Sequence, residues 1–375
     1  MTPVPLELPL RPAEAAAVAN LVFDLAERRP LTPELRTRLA ARSAVLRLAA
    51  MTPHFGSLAR DPVHPSTYYL AVDGTAGEPM LLHMALANAP TGSLFAKPLL
   101  VGRMPRAGGP EMVVNCLPFG PADRDALETF ASATDPRLLP RPLSPRPAIA
   151  VESDRPEVDF PLAFEAFRAL NKRTGRNLAA LSGGPGAYAA GLWSAIRAGW
   201  RDGYGMGTAI PTGDADETKE AIRRAAGCSR FTVGMRAPFE PALAAAAAAY
   251  ECIRQTRSAL KTGRSFDFEL SFEGASQPTS PAVLDFCLQW MKERGQAVQL
   301  ASPEWASADP AYLAELAAVA QRHACGLSVT FGAGDALPAR GDIGRAAPGR
   351  LNARILSGQP DLAAAIQQAA AVLLP

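Results

Sequence analysis

From Ala148 onward the chain alternates short apolar runs with longer amphipathic stretches. The runs predict strands over Ala148 to Glu152, Asn177 to Ser182, Tyr204 to Ile210, Arg230 to Arg236, Ser265 to Glu273, Ala297 to Ser302, Gly326 to Thr330 and Arg350 to Leu356. Apolar positions at helical spacing predict helices over Pro161 to Thr174, Ala187 to Asp202, Asp214 to Ala226, Glu240 to Thr262, Pro281 to Arg294, Pro310 to Ala324 and Pro360 to Leu374, with at most a weak one after Phe331. Gly175, Gly203, Gly227, Gly263 and Gly295 stand at helix stops, where a left-handed residue ends the helix without strain. Pro281, Pro310 and Pro360 stand at helix starts, where the missing amide is no loss. Strands alternating with helices imply right-handed crossovers and a parallel sheet, and this many units favour closure into a (β/α)8 TIM barrel. An open doubly wound sheet is the alternative.

Before Ala148 the pattern is different. Helical spacing over Ala13 to Arg28 and Pro33 to Ala50 is followed by strand-like runs Thr67 to Val72, Met80 to Leu86 and Glu111 to Cys116, with a turn at Asp73-Gly74 and a helix over Pro121 to Ser132. The expectation is an N-terminal α+β accessory domain over residues 1–134, a proline-rich linker over 135–147 and the barrel over 148–375. The linker, DPRLLPRPLSPRP, has closely spaced prolines that disfavour helix at each preceding residue. The first domain reads equally as a lid or as a homo-oligomerisation module, with Tyr68, Tyr69 and Phe119 in a core or an interface.

Composition narrows the function. The chain of 375 residues is 48% hydrophobic and 20% charged, the balance of a folded globular protein. Its 38 Lys and Arg against 36 Asp and Glu, without a basic run, argue against a nucleic-acid partner. No apolar run is long enough for a membrane span and no signal peptide is visible, so a cytoplasmic protein is expected. Cys116, Cys228, Cys252, Cys287 and Cys325 are scattered without a CxxC pair, which fits reduced thiols.

The candidate chemistry comes from sorting strand residues by period two. Over Ser265 to Glu273, Phe266, Phe268, Leu270 and Phe272 share one face, and Asp267, Glu269, Ser271 and Glu273 share the other. The apolar face must meet the helices, which turns three carboxylates inward, where each needs a partner, a hydrogen bond or a metal. Plugging ion pairs or a solvated edge strand are the alternatives. The same sorting turns Thr232, Arg236, Gln299, Ser328, Thr330, Asn352 and Arg354 inward, a polar interior suited to a hydroxylated, anionic small molecule. Glu269 and Glu273 are the candidate catalytic groups and tentative metal ligands, with Arg236 polarising a carbonyl and Arg354 gripping an anionic end. Glu152, Thr232, Ser271, Gln299, Thr330 and Asn352 complete the candidate substrate site, and Glu304 is a further rim carboxylate.

No histidine ends a barrel strand, because the four are His54, His64, His83 and His323. A metal would rest on oxygens from Glu269 and Glu273 with Glu152 or Asp335, favouring magnesium or manganese over zinc. The loop Ser182 to Gly186 lacks a Walker lysine and the GxGxxG spacing, so no nucleotide cofactor is expected. Phe331 to Asp335 and Ser357-Gly358 could bind phosphate on backbone amides, which keeps a metal-free phosphosugar enzyme open.

Over Ser265 to Pro281 the sequence resembles the tagaturonate epimerase family, through Phe268, Glu269, Ser271, Glu273 and Pro278-Thr279-Ser280-Pro281. Ser229 to Val233 resembles the family's preceding strand, and Leu300 to Pro303 is compatible with its next one. The resemblance implies a metal-dependent barrel enzyme that inverts a carbinol centre of a keto sugar acid, by a retro-aldol and aldol or a related carbonyl-assisted route. Two departures stand out: Gly274 replaces a second acidic residue, and Thr330 replaces a histidine that would bind metal. The expectation is therefore a sugar-acid epimerase, isomerase or aldolase-type enzyme, with a non-catalytic sugar-acid-binding descendant as the alternative.

Overall fold

The computed structural model describes residues 4–5, 51–61, 66–73, 79–86, 100–104, 111–144, 146–184, 186–260, 265–305, 310–331, 351–356 and 361–374. The helices expected over 13–28 and 33–50, the turn at Gly74, the helix stop at Gly263 and the helix start at Pro360 lie outside these residues. So do the loop after Phe331 with Asp335, and Ser357-Gly358. The chain divides into two compact units, residues 1–139 with 192–201, and residues 140–191 with 202–375.

In the first unit, β1 (Val4–Pro5), β2 (Met51–Arg60), β3 (Ser66–Asp73), β4 (Pro79–Leu86), β5 (Leu100–Met104) and β6 (Met112–Pro118) form one sheet in the order β1-β5-β6-β4-β3-β2. The β1–β5 pair is parallel and the others are antiparallel. Three of these strands carry the expected runs. Strand β2 escapes sequence reading because Pro53 and Gly56 break its pattern, and its pairing with β3 shifts register between His54 and Ala59. Helix α1 (Arg124–Thr134) starts on Asp123, whose side chain accepts from the Ala126 amide. Phe119 is a core residue here, buried and edge-on to Phe130 at 5.5 Å between ring centroids; of Tyr68 and Tyr69 only the backbone is described.

The second unit is a closed parallel barrel of β7 (Ala148–Ser153), β8 (Ala179–Gly183), β9 (Gly205–Ile210), β10 (Arg230–Gly234), β11 (Asp267–Ser271), β12 (Leu300–Ser302), β13 (Gly326–Phe331) and β14 (Leu351–Leu356), with β14 pairing back to β7. Each expected strand is present, trimmed by one to three residues at seven of the sixteen ends and extended by one at three. Between the strands run α2 (Pro156–Thr174), α3 (Ala187–Ala198), α4 (Ala215–Arg224), α5 (Phe239–Ser258), α6 (Pro281–Lys292) and α7 (Pro310–Arg322), and α8 (Leu362–Leu373) follows β14. The open doubly wound alternative is thereby excluded.

Local signals behave mostly as expected. Gly175 ends α2 at φ 67°, and the Ser280 hydroxyl caps α6 on the Val283 amide with Pro281 beside it. Gly227 differs, since it is not left-handed; a Cβ there would lie 2.1 Å from the Tyr188 ring, so glycine serves a close approach instead.

On β11 the sorting of faces holds. Phe268 and Leu270 are fully buried on the helix side, with Phe268 packed edge-on to Tyr250 of α5 at 5.2 Å. Asp267, Glu269 and Ser271 are buried on the other side. Leu143 and Ser144, from the proline-rich stretch before β7, donate their amides to Asp267 Oδ2 at 2.9 and 3.2 Å. Leu143 and Ser144 therefore belong to the barrel's N-terminal floor, where prolines leave few amides to satisfy and Asp267 accepts two of those that remain.

Candidate functional site

Strand register places the inward polar residues at different heights. Arg230 pairs with Asp267 at the start of β10 and β11, and Thr232 pairs with Glu269 two residues higher. Across the barrel Asn352 pairs with Ser328 and Arg354 with Thr330, again two residues apart. Asp267 and Asn352 thus belong to the floor, whereas Glu269, Thr330 and Arg354 rise towards the C-terminal mouth, the end at which barrel enzymes work.

Arg354 organises the mouth. Its Nη1 donates to Glu273 Oε2 at 2.7 Å, its Nη2 donates to Glu269 Oε1 at 3.2 Å, and its Nε lies 3.5 Å from Glu152 Oε2. The last distance is that of an ion pair, and among the described residues Nε has no hydrogen-bond partner. Glu269 is 0% exposed and Arg354 9%, against 27% for Glu273 and 40% for Glu152, so solvent and a ligand reach the two outer carboxylates first. Glu273 Oε1 accepts from Ser302 Oγ at 2.8 Å and from the Thr330 hydroxyl.

Glu269 has a second cation behind it. Arg230 Nε lies 3.7 Å from Glu269 Oε2, which also accepts from Thr232 Oγ1 at 2.7 Å. Burial pushes the Glu269 carboxyl up, but the Arg354 and Arg230 guanidiniums and its hydroxyl partners outweigh burial and hold it below the usual carboxylate range. Burial likewise opposes the charge of Arg354, and Glu269, Glu273 and Glu152 reverse that, holding its guanidinium above its ordinary value. At neutral pH Glu269 and Arg354 are both ionised.

The floor is different. Burial raises the Asp267 carboxyl above its usual range, against the pull of the Leu143 and Ser144 amides and Arg230. Leu143, Ala148, Gly205, Arg230, Asp267 and Asn352 border a cavity of about 10 Å³, close to the size of one water. The Arg230 side chain fits because Gly207 has none: a Cβ there would lie 2.8 Å from Arg230 Nε.

The sequence-based candidates separate accordingly. Glu269, Glu273, Glu152, Thr232, Thr330 and Arg354 converge. Ser271 lies just below Glu273, whose amide is 3.4 Å from the Ser271 hydroxyl oxygen. Gln299 precedes β12 and accepts the Phe268 amide on Oε1 at 2.7 Å, which makes it part of the barrel wall. Asn352 lines the floor cavity. Arg236 follows β10 and is exposed, without a described contact to the carboxylates. Glu304 accepts the Gly274 amide on Oε2 at 2.6 Å and donates its own amide to Thr279 Oγ1 at 2.8 Å, so it braces the loop that carries Glu273.

Sequence reasoning missed Arg230 and Arg257. Arg230 shares the face of Thr232, so period two was signal enough, but it opens its strand. Arg257 is 2% exposed on α5 and donates to the Ala226, Cys228 and Ser265 carbonyls, tying together the approaches to β10 and β11. No local signal marks an arginine that pairs with carbonyls instead of carboxylates.

As arranged, the pair expected to hold a metal does not fit one, because the Arg354 guanidinium stands between Glu269 and Glu273. Among the described residues no three of His, Cys, Asp and Glu converge as a metal-ligand group, and no helix is long and apolar enough to cross a membrane. Among the described residues Cys228, Cys252, Cys287 and Cys325 are not joined in disulfides.

The fold and the inward ion-pair network define a (β/α)8 barrel with a polar mouth. The sequence matches no family model and no curated protein. Among solved structures, the chain resembles the fructuronate-tagaturonate epimerase UxaE from Cohnella laeviribosi. A glycerol-complexed structure of that protein aligns at 16% identity and TM-score 0.56, over 84% of this chain and 74% of that one. Its native structure aligns at 16% identity and TM-score 0.55, over 86% and 74%. The likeness is distant and concerns the fold.

Proposed function

We propose that this chain is a carbohydrate-active barrel enzyme, acting on a keto sugar acid as an epimerase, isomerase or aldol-type lyase at the C-terminal mouth. The observation that carries this reading is the Glu269–Arg354–Glu273 network. Inward positions of a barrel are ordinarily filled by branched aliphatic side chains, and an ion network there costs several kcal/mol of desolvation that a purely structural core avoids. The distant likeness to an epimerase of keto sugar acids supports the same direction.

In this reading Glu273 is the base. It is a partly open carboxylate that, unlike the more exposed Glu152, is oriented through Oε1 by Ser302 and Thr330 and through Oε2 by Arg354. Glu273 takes the proton of a substrate hydroxyl, the adjacent carbon–carbon bond breaks to an aldehyde and an enolate, and Arg354 stabilises the enolate oxygen. The enolate then attacks the other face of the aldehyde, and the proton returns from Glu273 with the carbinol centre inverted. Glu269 holds Arg354 and Thr232 in place. Glu152 and Thr330 meet substrate hydroxyls, and Arg236 meets the substrate carboxylate, since Arg354 is already engaged.

The test is to incubate the protein with fructuronate, tagaturonate and a panel of related keto sugar acids, following products by carbon-13 NMR. Conversion is expected, and Glu273→Gln should lose about 10²–10⁴-fold in kcat while its stability stays within about 1 kcal/mol of the parent. Saturable thermal stabilisation without conversion would make the chain a sugar-acid-binding protein instead. Neither conversion nor stabilisation across the panel overturns the reading.

A further inference from the structure

We propose that the Arg354 guanidinium occupies the place a divalent cation would need, so that this barrel's polar mouth works without a metal. Three carboxylates face one guanidinium, at 2.7 Å from Glu273, 3.2 Å from Glu269 and 3.5 Å from Glu152. A planar cation with five donors can serve such a fan of oxygens. A magnesium or manganese ion binds carboxylate oxygens at roughly 2.0–2.2 Å, and to do so here it would have to expel Arg354 from between Glu269 and Glu273.

Two further features commit the site to the guanidinium. Glu269 is fully buried and faces a second arginine, Arg230, at 3.7 Å, so a divalent ion would add charge where two cations already stand. Glu273 Oε1 receives hydroxyls from Ser302 and Thr330. A threonine hydroxyl donating to the carboxylate completes an ion pair and offers no strong ligand to a metal. The fixed positive charge near the reacting centre is then part of the chain itself.

The inference rests on reading this cluster as the working site, but its test reads metal content and melting temperature, so it can fail while the proposed activity stands, and the reverse. Untagged protein is equilibrated with manganese, freed of loose ions and analysed by plasma mass spectrometry, with melting measured in manganese and in chelator. The parent protein should retain well under about 0.1 ion per chain and melt within about 1 °C in both. About one manganese per chain, lost in Glu273→Gln, overturns the proposal. Arg354→Gln removes the guanidinium and leaves Glu152, Glu269 and Glu273 facing a gap. It should take up manganese and gain roughly 5 °C or more from it, a gain absent in the parent. A folded Arg354→Gln protein that takes up none also overturns it, and if that variant does not fold the parent measurement decides alone.

Discussion

Asp267 and Glu269 lie two residues apart on one strand and face the same barrel interior, yet their surroundings drive them in opposite directions. At the floor, Asp267 accepts two backbone amides and its carboxyl is raised by burial. Two residues higher, Glu269 is more deeply buried and is nonetheless held low, because Arg354 and Arg230 flank it and Thr232 donates to it. Burial alone does not decide the state of a barrel carboxylate. The number of cations within reach does, and that number changes over a rise of only two residues.

The largest expected effect lies at the upper of the two. Glu269→Gln leaves Arg354 and Arg230 short of a buried counter-charge and should cost about 3–5 kcal/mol at pH 7 in chemical denaturation. The loss should depend on pH with a definite sign. The folded pKa of Glu269 is depressed, so its contribution is complete above the unfolded value of about 4.3 and fades as pH falls through the folded value. The gap between parent and variant should therefore narrow in acid. A gap that stays constant down to pH 3 would mean the arginines do not hold this carboxylate.

A smaller effect is expected at the contact between the two levels. Gly207→Ala places a methyl group 2.8 Å from Arg230 Nε and 3.2 Å from Ser182 Oγ and should cost about 1–3 kcal/mol, because the pairing with Glu269 at 3.7 Å limits how far Arg230 can yield. Full stability in the alanine variant would show that Arg230 moves freely and is not a fixed partner of Glu269.

The smallest effect is expected at the floor. Asp267→Asn keeps a carbonyl oxygen for the Leu143 and Ser144 amides and should change stability at pH 7 by no more than about 1 kcal/mol, neutral or in favour of asparagine. The sign of the pH dependence is opposite to that at Glu269. With its folded pKa raised, Asp267 contributes most below the unfolded value of about 3.9 and loses that contribution as pH rises through the folded value, so any advantage of asparagine should vanish in acid. A large loss at pH 7 would make Asp267 a charged partner of Arg230 after all, and the contrast between the two levels would collapse.

The barrel was legible in the sequence because its signals are local. Strand runs, helix spacing, Gly175 and Ser280-Pro281 each report the backbone a few residues away, and period two on β11 correctly turned Asp267, Glu269 and Ser271 inward. Height was not legible. Period two assigns a face but not a level, so Gln299 and Asn352 at the strand starts look like Thr330 and Arg354 near the mouth, and Arg236 beyond its strand looks like Arg230 within it. The partners of each charge were beyond the sequence as well. The Glu269–Arg354 bridge spans 85 positions and the Leu143–Asp267 bond 124, and such separations are set by barrel closure and strand register. What the sequence determined by itself is the repeating unit and the side of the strand on which its carboxylates lie. Only the closed barrel decided which of those carboxylates meets an arginine, which meets a backbone amide and which remains open to a ligand, because those pairings are distances across the barrel and no local pattern encodes them.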